Sequence, residues 1–299
     1  MRYFAAEGED RRLDPASRQE LRGSFVELSD GVTHYQLTGP EHGELVVLVG
    51  GLTIPLFYWD DLSAQLHARG FRTLAYSGYG RGYSDRVRAA YDEALFVRQL
   101  AELSEGLGLS GSHHLVGASM GALIAMVYAS RHVESVSTLS LIGPAGLARQ
   151  LASPHRLLRS DLLAGFVAKR FGRRLLDAHL GHNVREPDRA AELAAMIRDT
   201  YRYEGSRYAL FATLQNFRLS GRAELYRHTG ALGVPTMLVW GADDHVTPID
   251  HIGAALSLLR PRQCHVITEC GHMAPFERPR DVADQIGSFV ASHLDRIES

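Results

Sequence analysis

Gly117-Ala-Ser-Met-Gly121 sets a serine between two glycines, directly after the run His113–Val116 and directly before a helical pattern, Met120–Ser130. A strand that turns this tightly into a helix has no room for side chains at its flanks, which accounts for both glycines. The turn would hold Ser119 Oγ clear of the sheet, at the positive end of a helix. The chemistry this points to is nucleophilic attack. A serine hydroxyl is a weak nucleophile, however, and needs a base, which in turn needs an orienting acid. Two later segments offer both: Thr236–Trp240 runs into Gly241-Ala-Asp-Asp-His-Val-Thr-Pro248, and Cys264–Ile267 runs into Glu269-Cys-Gly-His272. The base candidate is His272 and the acid is Asp243 or Asp244. The pentapeptide alone would also suit an ordinary Gly/Ser turn. The strand–turn–helix context is what makes it a candidate site.

Three distant segments can meet only if the fold delivers them to one edge. Ser24–Leu28 and Thr33–Leu37 alternate as paired strands around the turn signal Asp30-Gly31. Leu45–Val49 is a continuous apolar run, as expected of a strand buried on both faces. Helical patterns then alternate with strands. Trp59–Arg69, Tyr91–Leu107, Met120–Ser130, Ile249–Leu259 and Arg280–His293 read as helices. Arg72–Tyr76, His113–Val116, Val136–Ile142, Thr236–Trp240 and Cys264–Ile267 read as strands. This predicts an α/β fold with a mostly parallel central sheet flanked by helices. Loops at the carboxyl ends of its strands would carry Ser119, the acid and His272 to one edge.

From Gly146 to Gly221 the alternation stops. Helical stripes replace it: Leu158, Leu162, Phe166; Leu193, Ile197; Tyr208, Phe211, Leu214. This predicts a helical cap, residues 146–221, inserted after the sixth strand into a core made of 1–145 and 222–299. The insertion holds 13 basic and 7 acidic residues, an excess of six positive charges, against a whole-chain net charge of -2. The chain has 299 residues, 45% of them hydrophobic and 22% charged, which excludes a disordered polymer. Its charge balance excludes a dedicated nucleic-acid binder. Residues 1–20 read as a polar arm without the apolar stretch of a signal peptide, so a cytoplasmic location is expected.

On these residues the chain resembles the α/β-hydrolase superfamily, in its helical-cap branch, over residues 20 to 299. The family's nucleophile motif matches at Ser119. Its acid motif matches Gly241, Asp244 and Pro248, which favours Asp244 over Asp243. Its histidine motif matches Gly271, His272, Glu277 and Pro279. The stretch Gly51-Leu-Thr-Ile-Pro-Leu-Phe-Tyr-Trp59, with Gly80-Arg-Gly-Tyr-Ser-Asp85, is similar to monoacylglycerol-lipase-like and esterase-like members. The resemblance implies a Ser119–His272–Asp244 triad and an oxyanion hole of the Leu52 and Met120 backbone N–H groups. The activity it implies is hydrolysis of an ester-type acyl bond in a small molecule with an apolar acyl part. Two positions depart from the pattern: Gly50 stands where the family has His, and Ser77 where it often has a buried Asp.

Ile54, Pro144 and Met273 are expected to wall the substrate pocket. No cofactor and no metal is expected, since Cys264 and Cys270 lack C-x-x-C spacing and no H-E-x-x-H occurs. Gly78-Tyr-Gly-Arg-Gly82 does not open a helix and is no nucleotide site. His113 and His114 read as packing residues on a strand, and His245 and His251 as poor bases beside the acid. The stripe Leu158, Leu162, Phe166 with Arg156, Arg159, Lys169, Arg170, Arg173 and Arg174 reads as a cap helix packed on the core with a solvated basic side. Membrane contact is not expected. Two alternatives remain: the same triad acting on a thioester, lactone or carbon–carbon bond or in acyl transfer, and a ligand-binding receptor or pseudo-enzyme on the same scaffold.

Overall fold

In a computed structural model the described residues are 1–109, 111–148, 160–180 and 184–297. They form one eight-stranded sheet: β1 (Ser24–Glu27), β2 (Val32–Thr38), β3 (Leu45–Val49), β4 (Arg72–Tyr76), β5 (His113–Ala118), β6 (Val136–Ile142), β7 (Thr236–Gly241) and β8 (Gln263–Ile267). Their spatial order is β1-β2-β4-β3-β5-β6-β7-β8. β2 runs antiparallel to both β1 and β4, and every pairing from β4 to β8 is parallel.

The helices, in chain order, are α1 (Pro15–Gln19), α2 (Asp60–His67), α3 (Glu93–Gly106), α4 (Met120–Arg131), α5 (Asp161–Leu180), α6 (Pro187–Thr200), α7 (Ser206–Asn216), α8 (Ala223–Ala231), α9 (Ile252–Leu259), α10 (Ala274–Glu277) and α11 (Pro279–Ile297). One group joins α2 to α11; the other joins α3, α4, α8 and α9. The core lies between these and the sheet. β3 is buried from Val46 to Val49, and α4 buries ten consecutive residues, Met120 to Ala129, because strands, α3 and α8 surround it.

Three expectations need correction. The N-terminal arm is not a polar segment standing off the fold: Phe4, Ala6 and Glu9 are buried. Glu9 accepts hydrogen bonds from the Gly205 and Arg207 amides at 2.9 and 2.8 Å, at the N-terminus of α7, where exposed N–H groups and the helix dipole favour a carboxylate. Next, α8 was unrecognised. Its Gly230 hides the pattern, yet a Cβ there would lie 2.6 Å from the Leu258 and Leu259 carbonyls, so the glycine is what lets α8 meet α9.

The third correction concerns the stripe assigned to the first helix of the insertion. Leu158, Arg156 and Arg159 lie outside the described residues, as does the Leu162 side chain. Phe166 faces outward at 61% exposure, and the inner face is Ala164, Ala168, Leu176 and Leu180. At Gly172 α5 approaches α7 closely: a Cβ there would sit 3.3 Å from Phe211.

Candidate active site

Ser119 follows β5 and precedes α4 with φ 54 and ψ -117, a conformation that costs a non-glycine residue strain. Backbone bonds hold it there: Ser119 N–H donates to the Ile142 carbonyl at 3.0 Å, and the Ser119 carbonyl accepts from Ala122 and Ala145. The flanking glycines are enforced by contact. A Cβ on Gly117 would meet Ala122 Cα at 2.7 Å, and one on Gly121 would meet the Val49 carbonyl at 2.1 Å.

Asp244 and His272 emerge from the ends of β7 and β8. His272 Nδ1 lies 2.8 Å from Asp244 Oδ2. A carboxylate only accepts, so Nδ1 carries the proton of this bond. Asp244 Oδ1 accepts the Val246 and Thr247 amides, both at 2.8 Å, and Oδ2 accepts the Thr247 hydroxyl at 2.7 Å. Burial pushes the Asp244 carboxyl up, but the His272 bond and charge and the Thr247 bonds outweigh it and hold it below the usual value. Asp243, the other candidate acid, pairs instead with Arg185 at 3.2 Å.

Supporting groups fix both loops. The Trp240 indole N–H donates to the Thr247 carbonyl at 2.7 Å. Glu277, at the end of α10, accepts the amides of Gly271 at 3.1 Å and Met273 at 3.2 Å, clasping the residues on either side of His272. Thr247 and Trp240 carry no sequence signal beyond the acid motif itself.

Ser119 and His272 line one cavity of about 170 Å3. No hydrogen bond joins their side chains, which is common before substrate arrives. Leu52 and Met120 border the same cavity, and neither amide donates to another group among the described residues. Ile54 and Met273 also line it. Pro144 does not: it is buried, and the next residue, Ala145, donates to the Ser119 carbonyl and borders the cavity with Gly146. His251 lines the cavity too, whereas His113 and His114 are buried in β5; burial pushes the His114 imidazole down to about 4.

Arg81 is the main residue that sequence reasoning passed over. It is 1% exposed, and among the described residues it pairs with no carboxylate. Its guanidinium donates to the Leu52 carbonyl at 2.7 Å, the Tyr79 carbonyl at 2.8 Å and Thr213 Oγ1 of α7 at 2.8 Å, and it lies over the rings of Phe96 and Tyr91. It thus ties the Leu52 loop to the inserted helices. Ser77, at the position of the family's buried Asp, keeps the acceptor role. Its Oγ accepts the Leu56 amide at 3.0 Å and bonds His34 Nδ1 at 3.1 Å. Nε2 of His34 faces the Arg22 carbonyl, so its Nδ1 accepts from the Ser77 hydroxyl. Burial pushes the His34 imidazole down to about 4, keeping it neutral.

Among the described residues no cluster of His, Cys, Asp and Glu could hold a metal ion, and no helix is long and apolar enough to cross a membrane. Both cysteines are free thiols.

The family model described as alpha/beta hydrolase fold matches residues 44–279. The chain belongs to the α/β-hydrolase family. It is 29% identical, over 76% of its length and 77% of the relative's, to 2-hydroxy-6-oxo-6-(2'-aminophenyl)hexa-2,4-dienoic acid hydrolase of Metapseudomonas resinovorans. It is 27% identical to monoacylglycerol lipase abhd6-A of Xenopus laevis, over 71% of this chain and only 65% of the lipase's length. A thermophilic esterase from Thermogutta terrifontis shares the fold, with a TM-score of 0.77 at 21% identity over 91% of this chain and 99% of the esterase.

Proposed function

We propose that this hydrolase is a serine hydrolase that cleaves an ester-type acyl bond of a small molecule through a covalent acyl-enzyme. The observation that carries the reading is the His272 Nδ1–Asp244 Oδ2 bond of 2.8 Å, on a histidine that borders the same cavity as a serine in a strained elbow. His272 Nε2 takes the Ser119 proton as Oγ adds to the carbonyl carbon. The Leu52 and Met120 amides hold the resulting oxyanion, and Asp244 fixes the tautomer and stabilises the imidazolium. The imidazolium then protonates the leaving alcohol as its bond to carbon breaks. Water, deprotonated by His272, attacks the acyl-enzyme; the acid leaves and Ser119 recovers its proton. Residues 146–221 act as the cap over the acyl chain.

A second reading keeps the triad and changes the bond. It is favoured by the likeness to a hydrolase named for an oxo-dienoic acid, a compound without an ester, whose hydrolysis breaks a carbon–carbon bond. Steady-state assays of p-nitrophenyl esters beside a 2-hydroxy-6-oxo-dienoate separate the two. Ester turnover abolished by Ser119→Ala, with the dienoate left intact, supports the first reading. Dienoate turnover well above ester turnover replaces it with the second.

A further inference from the structure

Among the described residues seven large apolar side chains are exposed, and four of them stand on α5: Leu163, Phe166, Phe171 and Leu175, at 37, 61, 39 and 49%. Single exposed apolar residues are ordinary on a protein surface, but four on one helix need a cause. Leu163, Phe166, Arg170, Phe171, Arg174 and Leu175 recur at the spacing i, i+3, i+7, i+8, i+11, i+12. They therefore fill one outer arc of the helix, about 18 Å long, opposite the buried Ala164, Ala168, Gly172 and Leu176. Apolar and cationic groups form one surface there. The Phe166 and Phe171 rings meet edge-on at 6.4 Å, and the Arg170 guanidinium lies over Phe171 at 5.5 Å. The positive charge is not spent within the chain. Arg189, Arg198, Arg202 and Arg278 each reach a carboxylate within 2.9 Å, whereas Arg170, Arg173 and Arg174 pair with none among the described residues. Both acids of α5 are already engaged: Asp177 with Arg198 at 2.7 Å, Asp161 with the Met1 amino group at 3.0 Å. The expectation of no membrane contact rested on Phe166 packing inward. With Phe166 outward, apolar and basic groups share the same exposed face.

We propose that the outer face of α5 docks on an anionic lipid bilayer. Leu163, Phe166, Phe171 and Leu175 enter the boundary between headgroups and acyl chains, while Arg170 and Arg174 lie among the acidic headgroups. The helix lies on the surface and does not span it. A second copy of this chain fits the face poorly, because two-fold pairing would set the same arginines against one another. A folded acidic partner would have to hold long, flexible arginine side chains in a fixed pattern, at a cost in side-chain entropy that a fluid headgroup layer does not impose.

The test is co-sedimentation of the full chain with vesicles, either pure phosphatidylcholine or phosphatidylcholine mixed equally with phosphatidylglycerol. Partitioning onto the acidic vesicles is expected to be at least about tenfold stronger than onto the neutral ones, and to weaken as salt is raised. Replacing Arg170 and Arg174 together by Ser should cut it about tenfold or more, and replacing both by Lys should largely keep it. Phe166→Ser should cut it about threefold or more. These side chains are exposed, and urea midpoints check that each variant is folded. A chain that ignores acidic vesicles, even one that self-associates or binds an acidic protein, overturns the docking. So does equal binding to the two compositions, or binding that both Ser variants keep. The readout needs no turnover, so it is decided separately from the chemistry proposed for Ser119.

Discussion

The Ser119 edge of the sheet and the helices between β6 and β7 are held by different kinds of contact. At the edge, backbone meets backbone. Gly121 lies against the Val49 and Gly50 carbonyls, Gly117 against α4, and Ser119 is pinned by three main-chain bonds. In the insertion, side chains do the holding. α5 meets α7 through small residues and the flexible stem of Arg207, and the arm docks through the Glu9–Arg207 pair. Backbone cannot retreat from an added atom, whereas a long side chain can. The edge should therefore tolerate almost nothing, and the insertion should tolerate much.

The sharpest test of that contrast is one substitution made in both places. Gly121→Ala puts a Cβ at 2.1 Å from a carbonyl oxygen, so a loss of stability of about 4 kcal/mol or more is expected in urea unfolding, along with loss of ester turnover. Gly172→Ala meets Arg207 Cδ at 3.2 Å and Phe211 at 3.3 Å, and a change within about 1 kcal/mol is expected. Equal costs at the two sites would break the comparison.

Arg81 belongs to both regions. Arg81→Met leaves the Leu52 and Tyr79 carbonyls and the Thr213 hydroxyl without their donor, so a stability loss of about 2–4 kcal/mol is expected, with kcat falling more than KM rises. A rise in KM alone would mean that Arg81 shapes the pocket but not the Leu52 loop.

Glu277→Gln keeps the shape and removes the charge that gathers the Gly271 and Met273 amides. A fall in kcat of about tenfold is expected, with stability lowered by about 1–2 kcal/mol. Unchanged kcat would show that the His272 loop holds itself.

A last effect is spread over the core and belongs to neither region alone. His34 and His114 are both pushed down to about 4 by burial, so the unfolded chain binds protons that the folded chain refuses. Their contribution is intact above about pH 6.5. It is lost as pH falls from there towards 4, with a slope near 1.4 kcal/mol per pH unit for each. Urea midpoints at pH 7, 6 and 5 should fall steadily, and His114→Asn should flatten the slope by one proton. An unchanged slope in that variant would show that His114 binds its proton equally well in both states.

The strands were legible because apolar runs bounded by glycine have few other uses, and the elbow because no other turn needs Gly-x-Ser-x-Gly between a strand and a helix. The acid was narrowed to Asp244 by the resemblance, whose acid motif matches Gly241, Asp244 and Pro248. The geometry brings the same residue to His272 and gives Asp243 to Arg185. What stayed hidden depends on tertiary contact. A guanidinium such as Arg81 reads as surface until its partners, two carbonyls and a hydroxyl, come together around it. Phe4, Ala6 and Glu9 have no period to reveal that they are buried. Phe166 reads as core because large apolar residues usually are, yet the buried face of α5 is Ala164, Ala168, Leu176 and Leu180, with Gly172 at the close approach to α7.

The most direct test of the central claim is intact-protein and peptide mass spectrometry after treatment with a fluorophosphonate. The account predicts one adduct per chain, on Ser119, formed quickly by the wild type, slowed at least about 10³-fold by His272→Ala and absent in Ser119→Ala. A wild-type chain that stays unmodified, or carries its adduct on another residue, would contradict it.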